Sequence, residues 1–329
     1  MHKKILFISK GETASSTRYR ALQYFPFLKK NDWMASHSTI SGGFRAIIAS
    51  LIAVHQADVV VLLRKTFPMP IFWLLRTLSK KLIFDFDDAI FCNTDGSHST
   101  TRMQRFKHMI RHCDYVFAGN GYLASHAKQF NPAVEIIPTS IDTDKYHLDC
   151  QKELQTFTLV WIGSSSTKKY LVDILPQLEK AAQSVSNLQL NNISDFQLSS
   201  PILKINNIPW HAETEASELN KADIGIAPML DNNWTKGKCA LKVLQYMASG
   251  LPVISSHSGV NAEVIQDQVT GYLLKKNEDW TELIIALQHK KSQLQQMGQQ
   301  GKLFVNNEFS IPVVYQKILA ALTQLAKLA

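Results

Sequence analysis

The stretch WIGSSSTKKYL (161–171) carries the clearest chemistry in this 329-residue chain: an apolar strand, a loop of small residues and a helix start. Backbone N–H groups at such a start, with the helix dipole behind them, favour a diphosphate. Lysines in that position are otherwise simply solvated. SKGETASSTRYR (9–20) repeats the plan, with Gly11 permitting close backbone approach and Ser15 or Ser16 expected to cap the next helix. That cap would place Arg18 and Arg20 near the first turn, where cations oppose the dipole unless an anion compensates. A phosphate contact is therefore expected of Arg18, while Arg20 stands evenly between that role and a plain surface one. Of the eleven histidines only His108 and His112 stand at HxxxH spacing and none shows HExxH, and each is expected to be structural. Cys92, Cys113, Cys150 and Cys239 show no CxxC spacing, which argues against zinc and against a disulfide framework.

These motifs need elements to position them. Short apolar or β-branched runs recur between helix-length segments at 3–9, 33–39, 57–63, 81–86, 114–118 and 134–138, then at 156–162, 187–194, 202–208, 222–228, 252–256 and 270–274. Several are apolar throughout, as strands covered on both faces are. Alternating strands and helices imply right-handed crossovers and parallel sheets. Two successive sets imply two Rossmann-like, doubly wound α/β domains, 1–152 and 153–329, with the polar stretch 139–156 as linker. The last segment, 311–329, repeats Val314, Ile318, Leu322 and Leu325 at helical spacing with Pro312 in its first turn. This helix is a candidate to return to the first domain.

A content of 45% hydrophobic and 19% charged residues excludes a disordered or fibrous chain. No run approaches the ~18 apolar residues of a membrane span. The apolar start lacks a cleavage site, so a cytoplasmic protein is expected. The net charge of +8 lies wholly in residues 1–152, which hold 20 Lys and Arg against 12 Asp and Glu. The first half is thereby expected to meet something anionic, a membrane surface or a phosphate-bearing acceptor. Nucleic acid is disfavoured by the lack of a basic arm, zinc spacing or RNP-type motif. TRYRALQYFPFLKK (17–30) and TRMQRFKHMIRHC (101–113) mix basic and large apolar residues and are the candidate interfacial helices, against the plainer reading of helices packed on their own sheet.

With two such domains, the sequence resembles glycosyltransferase family 4, retaining nucleotide-sugar transferases of the GT-B architecture, whose two Rossmann-like domains face a cleft. The resemblance covers almost the whole chain and is strongest in KGKCALKVLQYMASGLPVISSHSGVNAEVI (236–265). There LQYMASGLPVI resembles the family's helix–turn–strand after the donor pocket. Leu244 and Met247 are expected to face the core, Gly250 to end the helix left-handed and Pro252 to open a strand. Gly259, Glu263 and Gly271 also fall at family spacing. On the donor side the resemblance implies Gly163 as the family glycine, Lys169 at its second basic position, and Ser164 in place of its frequent arginine with Lys168 as partial substitute. On the acceptor or phosphate side it implies Gly11, Arg18 and Arg20, whose segment 9–28 is similar to the opening of a bacterial branch, and Asn120 in NGYL (120–123). In IFDFDDAIF (83–91), Asp85-Phe86-Asp87 imitates the metal-binding Asp-x-Asp of the other large transferase fold, but the family resembled needs no metal. Asp87 or Asp88 is expected at a strand's C-terminal edge, where ligands of open α/β sheets gather. There Asp88 suits either an acceptor hydroxyl or the capping of a loop.

The chain also departs from the family. The family's Glu-x7-Glu, one carboxylate for the donor sugar and one for the ribose, aligns with Gly237 and Gln245. Glutamine still offers ribose an acceptor and two donors, whereas glycine offers no side chain. A glycine-rich turn is replaced by NISDFQ (192–197), while Lys238 and Lys242 put charge within reach of the diphosphate. The resemblance implies front-face displacement without a protein-bound sugar, the leaving phosphate taking the acceptor's proton. Lys169 and Lys242 would stabilise that phosphate and Asp88 would serve the acceptor. The nucleotide-sugar is then a co-substrate, with no cofactor and no metal. A glycan or lipid-linked acceptor in bacterial cell-surface polysaccharide assembly, at the inner face of the membrane, is the expected setting. The rival readings are a nucleotide-sugar epimerase on the same architecture and a catalytically lapsed sugar-binding partner, which Gly237 and Gln245 favour. A solute-binding protein is opposed by the missing export signal.

Overall fold

A computed structural model describes residues 2–40, 44–146, 155–276 and 278–327; Cys150 and much of the expected linker lie outside the described residues. Each of the twelve predicted runs forms a strand, with bounds that move by no more than two residues. The chain divides into two compact units: Met1–Ser140 with Asn232–Cys239 and Ile311–Ala329, and Ile141–Asp231 with Ala240–Ser310. The division thus falls at 140/141 rather than 152/153, and two later segments rejoin the first unit.

The first unit is built on β1 (Lys3–Ile8), β2 (Trp33–Ser38), β3 (Val59–Leu63), β4 (Leu82–Phe86), β5 (Tyr115–Ala118) and β6 (Val134–Ile136). They form one sheet in the order β2-β1-β3-β4-β5-β6, every pair parallel. Side chains alternate between its faces, as the period of two demands. Leu6, Ile8, Val60, Leu62, Phe84 and Phe86 enter one core. Ile5, Phe7, Val59, Val61, Leu63 and Ile83 enter the other. The C-terminal helix Ile311–Lys327 closes this second face, burying Val314, Ile318, Leu322 and Leu325, with Tyr315 stacked on Tyr24 at 6.4 Å.

Of the two candidate interfacial stretches, only the second forms one continuous helix. The stretch 17–30 is broken into a helix Ser15–Arg20, a tighter turn Leu22–Tyr24 and a helix Phe25–Lys30, with Arg20, Tyr24 and Leu28 buried. Pro26 has no N–H for a helix continuing from upstream, so a new helix begins beside it. Helix Thr100–His112, capped by the Ser99 hydroxyl, turns Phe106, Met109 and Ile110 into its own sheet's core.

The second unit holds β7 (Phe157–Ile162), β8 (Leu188–Ser194), β9 (Lys204–Pro209), β10 (Ile224–Ala227), β11 (Val253–Ser256) and β12 (Gly271–Leu274), ordered β12-β11-β10-β7-β8-β9 and parallel throughout. The chain winds outward from β7 through β8 to β9, then from β10 to β12 in the other direction. The order therefore reverses between β7 and β10, and the crevice outside their carboxyl ends is the ligand position of such a sheet. Helix Leu241–Ala248 ends as expected. Gly250 takes φ +71, its N–H donates to Met247 O at 2.9 Å, and Leu251 N–H donates to Tyr246 O at 2.9 Å. These two bonds satisfy carbonyls that the helix end leaves open. Leu244 and Met247 are buried in the core.

Candidate functional site

The loop after β7 lies at that reversal. Gly163 follows Ile162, a 3-10 turn Ser165–Thr167 comes next, and helix Lys168–Ser184 begins without a side-chain cap or an acidic residue in its first turn. Glycine is required here by close approach: a Cβ would stand 2.4 Å from the Trp161 ring and 2.7 Å from Lys242 Nζ. Lys242 reaches the same spot from helix Leu241–Ala248. Its ammonium donates to Thr167 Oγ1 at 3.1 Å and lies 4.0 Å from the Trp161 ring centroid. Lys168 and Lys169 add two more cations in the first turn, with Nζ over Phe196 at 4.8 Å and over Tyr170 at 5.1 Å. Three ammonium groups thus collect at the positive end of a helix, an arrangement that favours an anion among them.

Two residues here were not foreseen from the sequence. Asp195, in the NISDFQ run, accepts from the Ser165 N–H at 2.6 Å and from its hydroxyl at 3.2 Å, so one exposed carboxylate holds the loop. Tyr246 ties the ends of β7 and β10 together, accepting from Ile162 N–H at 2.9 Å and donating to Ile226 O at 3.2 Å. Burial pushes its phenol well above the usual range, so it stays neutral. The signal for Tyr246 was Gly225: a Cβ there would lie 2.3 Å from the tyrosine ring. Of the remaining donor-side residues, Ser164 shares its hydroxyl with Ser166 at 2.8 Å. Gln245 is buried in helix Leu241–Ala248, and Glu263 is exposed in the short helix Asn261–Val264, just after Gly259 at φ +50.

In the first unit, tertiary contacts revise several expectations. Ser15 and Ser16 lie inside helix Ser15–Arg20, whose N-cap position is Ala14 with no side-chain bond. Arg18 stacks over Tyr19 at 5.6 Å. Arg20 is not a phosphate contact: its buried Nε donates to Asp85 Oδ1 at 2.5 Å and its Nη1 to Ile137 O at 2.9 Å. The cause is the strand period, because Asp85 shares the inward face with Ile83 and needs a countercharge there. Burial lifts the Asp85 carboxyl to about 6 against the pull of Arg20. Gly11, at φ +149, has open space on its Cβ side.

Asp88 is buried just past β4 and pairs with Arg64 Nη2 and, at 2.6 Å, with Lys238 Nζ. Burial raises its carboxyl, Lys238 and Arg64 pulling the other way and Asp87 adding to the rise. With an oxygen committed to each cation, it is an anchor rather than a group open to an acceptor hydroxyl. Lys238, expected at the donor, instead belongs to the first unit, its Nζ also 4.6 Å from the Trp234 ring. Arg64, unforeseen, sits at the end of β3 with φ 55, strain that the surrounding pairs outweigh. Asn120 is likewise spent on structure: it caps helix Gly121–Lys128 through Leu123 N–H at 2.8 Å. It also donates to Lys236 O at 3.0 Å and Lys238 O at 2.9 Å.

The segment Asn232–Cys239 is therefore clamped to the first sheet, and Gly237 explains itself. A Cβ at 237 would lie 2.5 Å from Ala89 N, so no glutamate fits there. Cys239 Sγ fills the space beside Gly119, and burial raises the Cys113 and Cys239 thiols far from reactivity. Among the described residues, no group of three or more His, Cys, Asp and Glu could hold a metal ion, and no helix is long and apolar enough to cross a membrane.

Residues 156–290 match the family model described as Glycosyl transferases group 1. Comparison with curated protein sequences gives no match. Among solved structures, HepE from Anabaena in complex with UDP and glucose is 12% identical with TM-score 0.73, covering 98% of this chain and 100% of that one. Sucrose-phosphate synthase from Thermosynechococcus elongatus is 13% identical with TM-score 0.74, over 99% and 100% of the two chains. A glycosyltransferase from Rickettsia africae is 13% identical with TM-score 0.75, over 99% of each. The fold, two parallel six-stranded sheets with flanking helices, is that of GT-B glycosyltransferases.

Proposed function

We propose that this chain, whose residues 156–290 belong to the glycosyl transferases group 1 family, transfers a hexose from a UDP- or GDP-sugar with retention of configuration. The observation that carries this reading is the cluster of Lys242, Lys168 and Lys169 at an uncapped, acid-free helix start beside Gly163, at the reversal of the second sheet. The backbone and Lys242 would bind the diphosphate and stabilise its charge as the sugar leaves, Lys169 assisting from solvent. Gln245 would reach the ribose and Glu263 the sugar. No metal is assigned a part, since Arg20, Arg64 and Lys238 already answer the first unit's aspartates. HepE, solved with UDP and glucose, is consistent with a UDP-sugar donor. The acceptor is a glycan or lipid-linked sugar of bacterial surface polysaccharide assembly, met at the cytoplasmic face of the membrane.

A second reading, a partner that binds sugar nucleotide without turning it over, draws on Gly237, where Ala89 leaves no room for a carboxylate. One experiment separates the two. The protein is incubated with UDP- and GDP-linked hexoses, and nucleoside diphosphate release and the anomer of the freed sugar are followed by NMR. Slow hydrolysis giving first the donor's own anomer supports transfer with retention. Binding without release supports the partner, an inverted anomer refutes retention, and a free isomerised sugar makes the chain an epimerase.

A further inference from the structure

Three helices coat one face of the first sheet: Phe44–Gln56, Met69–Leu78 and Thr100–His112. Each contributes to the same core, through Val54, through Phe72 and Leu75, and through Phe106, Met109 and Ile110. Their outward faces therefore form a single layer. A helix covering a soluble protein is ordinarily polar on that side. Here Ile48 and Ile52 on the first helix and Met69, Ile71, Trp73 and Leu74 on the second are 40–52% exposed. Helix Met69–Leu78 buries Phe72 and Leu75 yet is also apolar on its outer side up to Arg76 in its last turn, and such an outer face is one that something covers.

The charges around this layer point to what covers it. None of the three helices contains an Asp or Glu. Arg45 is exposed on the stripe that runs on to Ile48 and Ile52, and the third helix exposes Arg102, Arg105 and Arg111. Trp73 joins the apolar and basic parts: its ring packs edge-on against His108 at 5.5 Å and His112 at 4.8 Å. Arg105 precedes those histidines by three and seven residues, so it shares their stripe. Aliphatic side chains with a tryptophan among them, bordered by arginines on helices that carry no acid of their own, match the acyl–headgroup boundary of an anionic bilayer. Asp114, just beyond the third helix, is paired with Arg76 at 3.1 Å.

We propose that the outer faces of helices Phe44–Gln56 and Met69–Leu78, flanked by the arginines of Thr100–His112, form a monotopic docking surface for an anionic bilayer. This rests on the membrane setting proposed above but not on the donor chemistry. It gives the first half's positive excess a place: the apolar residues insert and the arginines meet headgroups.

The test is sedimentation of the full chain with phosphatidylglycerol/phosphatidylcholine vesicles, with UDP affinity measured in parallel. The triple variant Ile48→Ser, Ile52→Ser, Leu74→Ser should bind vesicles about tenfold more weakly or worse, with unchanged UDP affinity and melting temperature. Lipids brominated on the acyl chain should quench part of the tryptophan emission, and Trp73→Phe should remove that part. Wild-type binding that the triple variant retains would overturn this surface while leaving membrane contact intact. Wild type that ignores the vesicles at low salt would overturn both, the donor reading being judged by the UDP titration alone. A dimer of the wild type that the triple variant dissolves, without vesicle binding, would assign the face to a second copy instead.

Discussion

Lys242→Ala tests the donor site most directly. In the free protein the ammonium donates to Thr167 Oγ1 at 3.1 Å and lies 4.0 Å from the Trp161 ring centroid, within 2.7 Å of where a Gly163 Cβ would be. It stands at a helix start with no acidic residue in the first turn. A diphosphate seated on that turn gives the ammonium an anionic acceptor in place of the threonine hydroxyl, an added interaction of about 1.5–3 kcal/mol. At about 1.36 kcal/mol per decade this is roughly a 13- to 160-fold loss of UDP affinity. Uridine carries no phosphate and should lose almost nothing. Calorimetric titration of wild type and variant with UDP and with uridine reads the difference directly. Equal weakening of both ligands would refute the diphosphate role, because a collapsed pocket acts on the base as well. An unchanged UDP affinity would place the anion elsewhere.

Four further outcomes are expected. Gly237→Ala should destabilise the chain by about 1–3 kcal/mol, since its Cβ meets Ala89 N at 2.5 Å; an unchanged denaturation midpoint would contradict the packing. Arg20→Met should cost about 3–5 kcal/mol by leaving Asp85 uncompensated, and Arg20→Met with Asp85→Leu should recover most of it in urea unfolding. Asp85 titrates near 3.8 when unfolded and about 6 when folded, so its stabilising contribution is full below 3.8 and lost as pH rises through about 6. The stability of wild type relative to Asp85→Asn should therefore fall across that window, and a flat difference would refute the raised carboxyl. Nucleoside diphosphate release should survive EDTA, because Asp85 and Asp88 are held by Arg20, Arg64 and Lys238; loss restored by manganese would reverse that view.

Sequence alone located all twelve strands, because strands buried on both faces are written as local apolar runs and the helices between them as spacing. It also placed the left-handed Gly250, the C-terminal helix and the small-residue loop at Gly163, all properties of a few neighbouring residues. What it did not determine was which charges meet. Arg20 and Lys238 carry the same charge as Lys242, yet the first two are taken by Asp85 and Asp88, and only the third stands at the loop after β7. Asp85 needs Arg20 because the register of β4 turns it inward, and that register depends on β3 and β5. Asn232–Cys239 reads as part of the second half but is held in the first unit by Asn120, more than a hundred residues earlier. The sequence shows only that a glutamate is missing at 237, whereas Ala89, the reason no side chain fits there, is visible only in the folded chain. Burial and countercharge depend on partners remote in the chain, so only the tertiary structure could sort Lys242, at the loop after β7, from the cations held by Asp85 and Asp88.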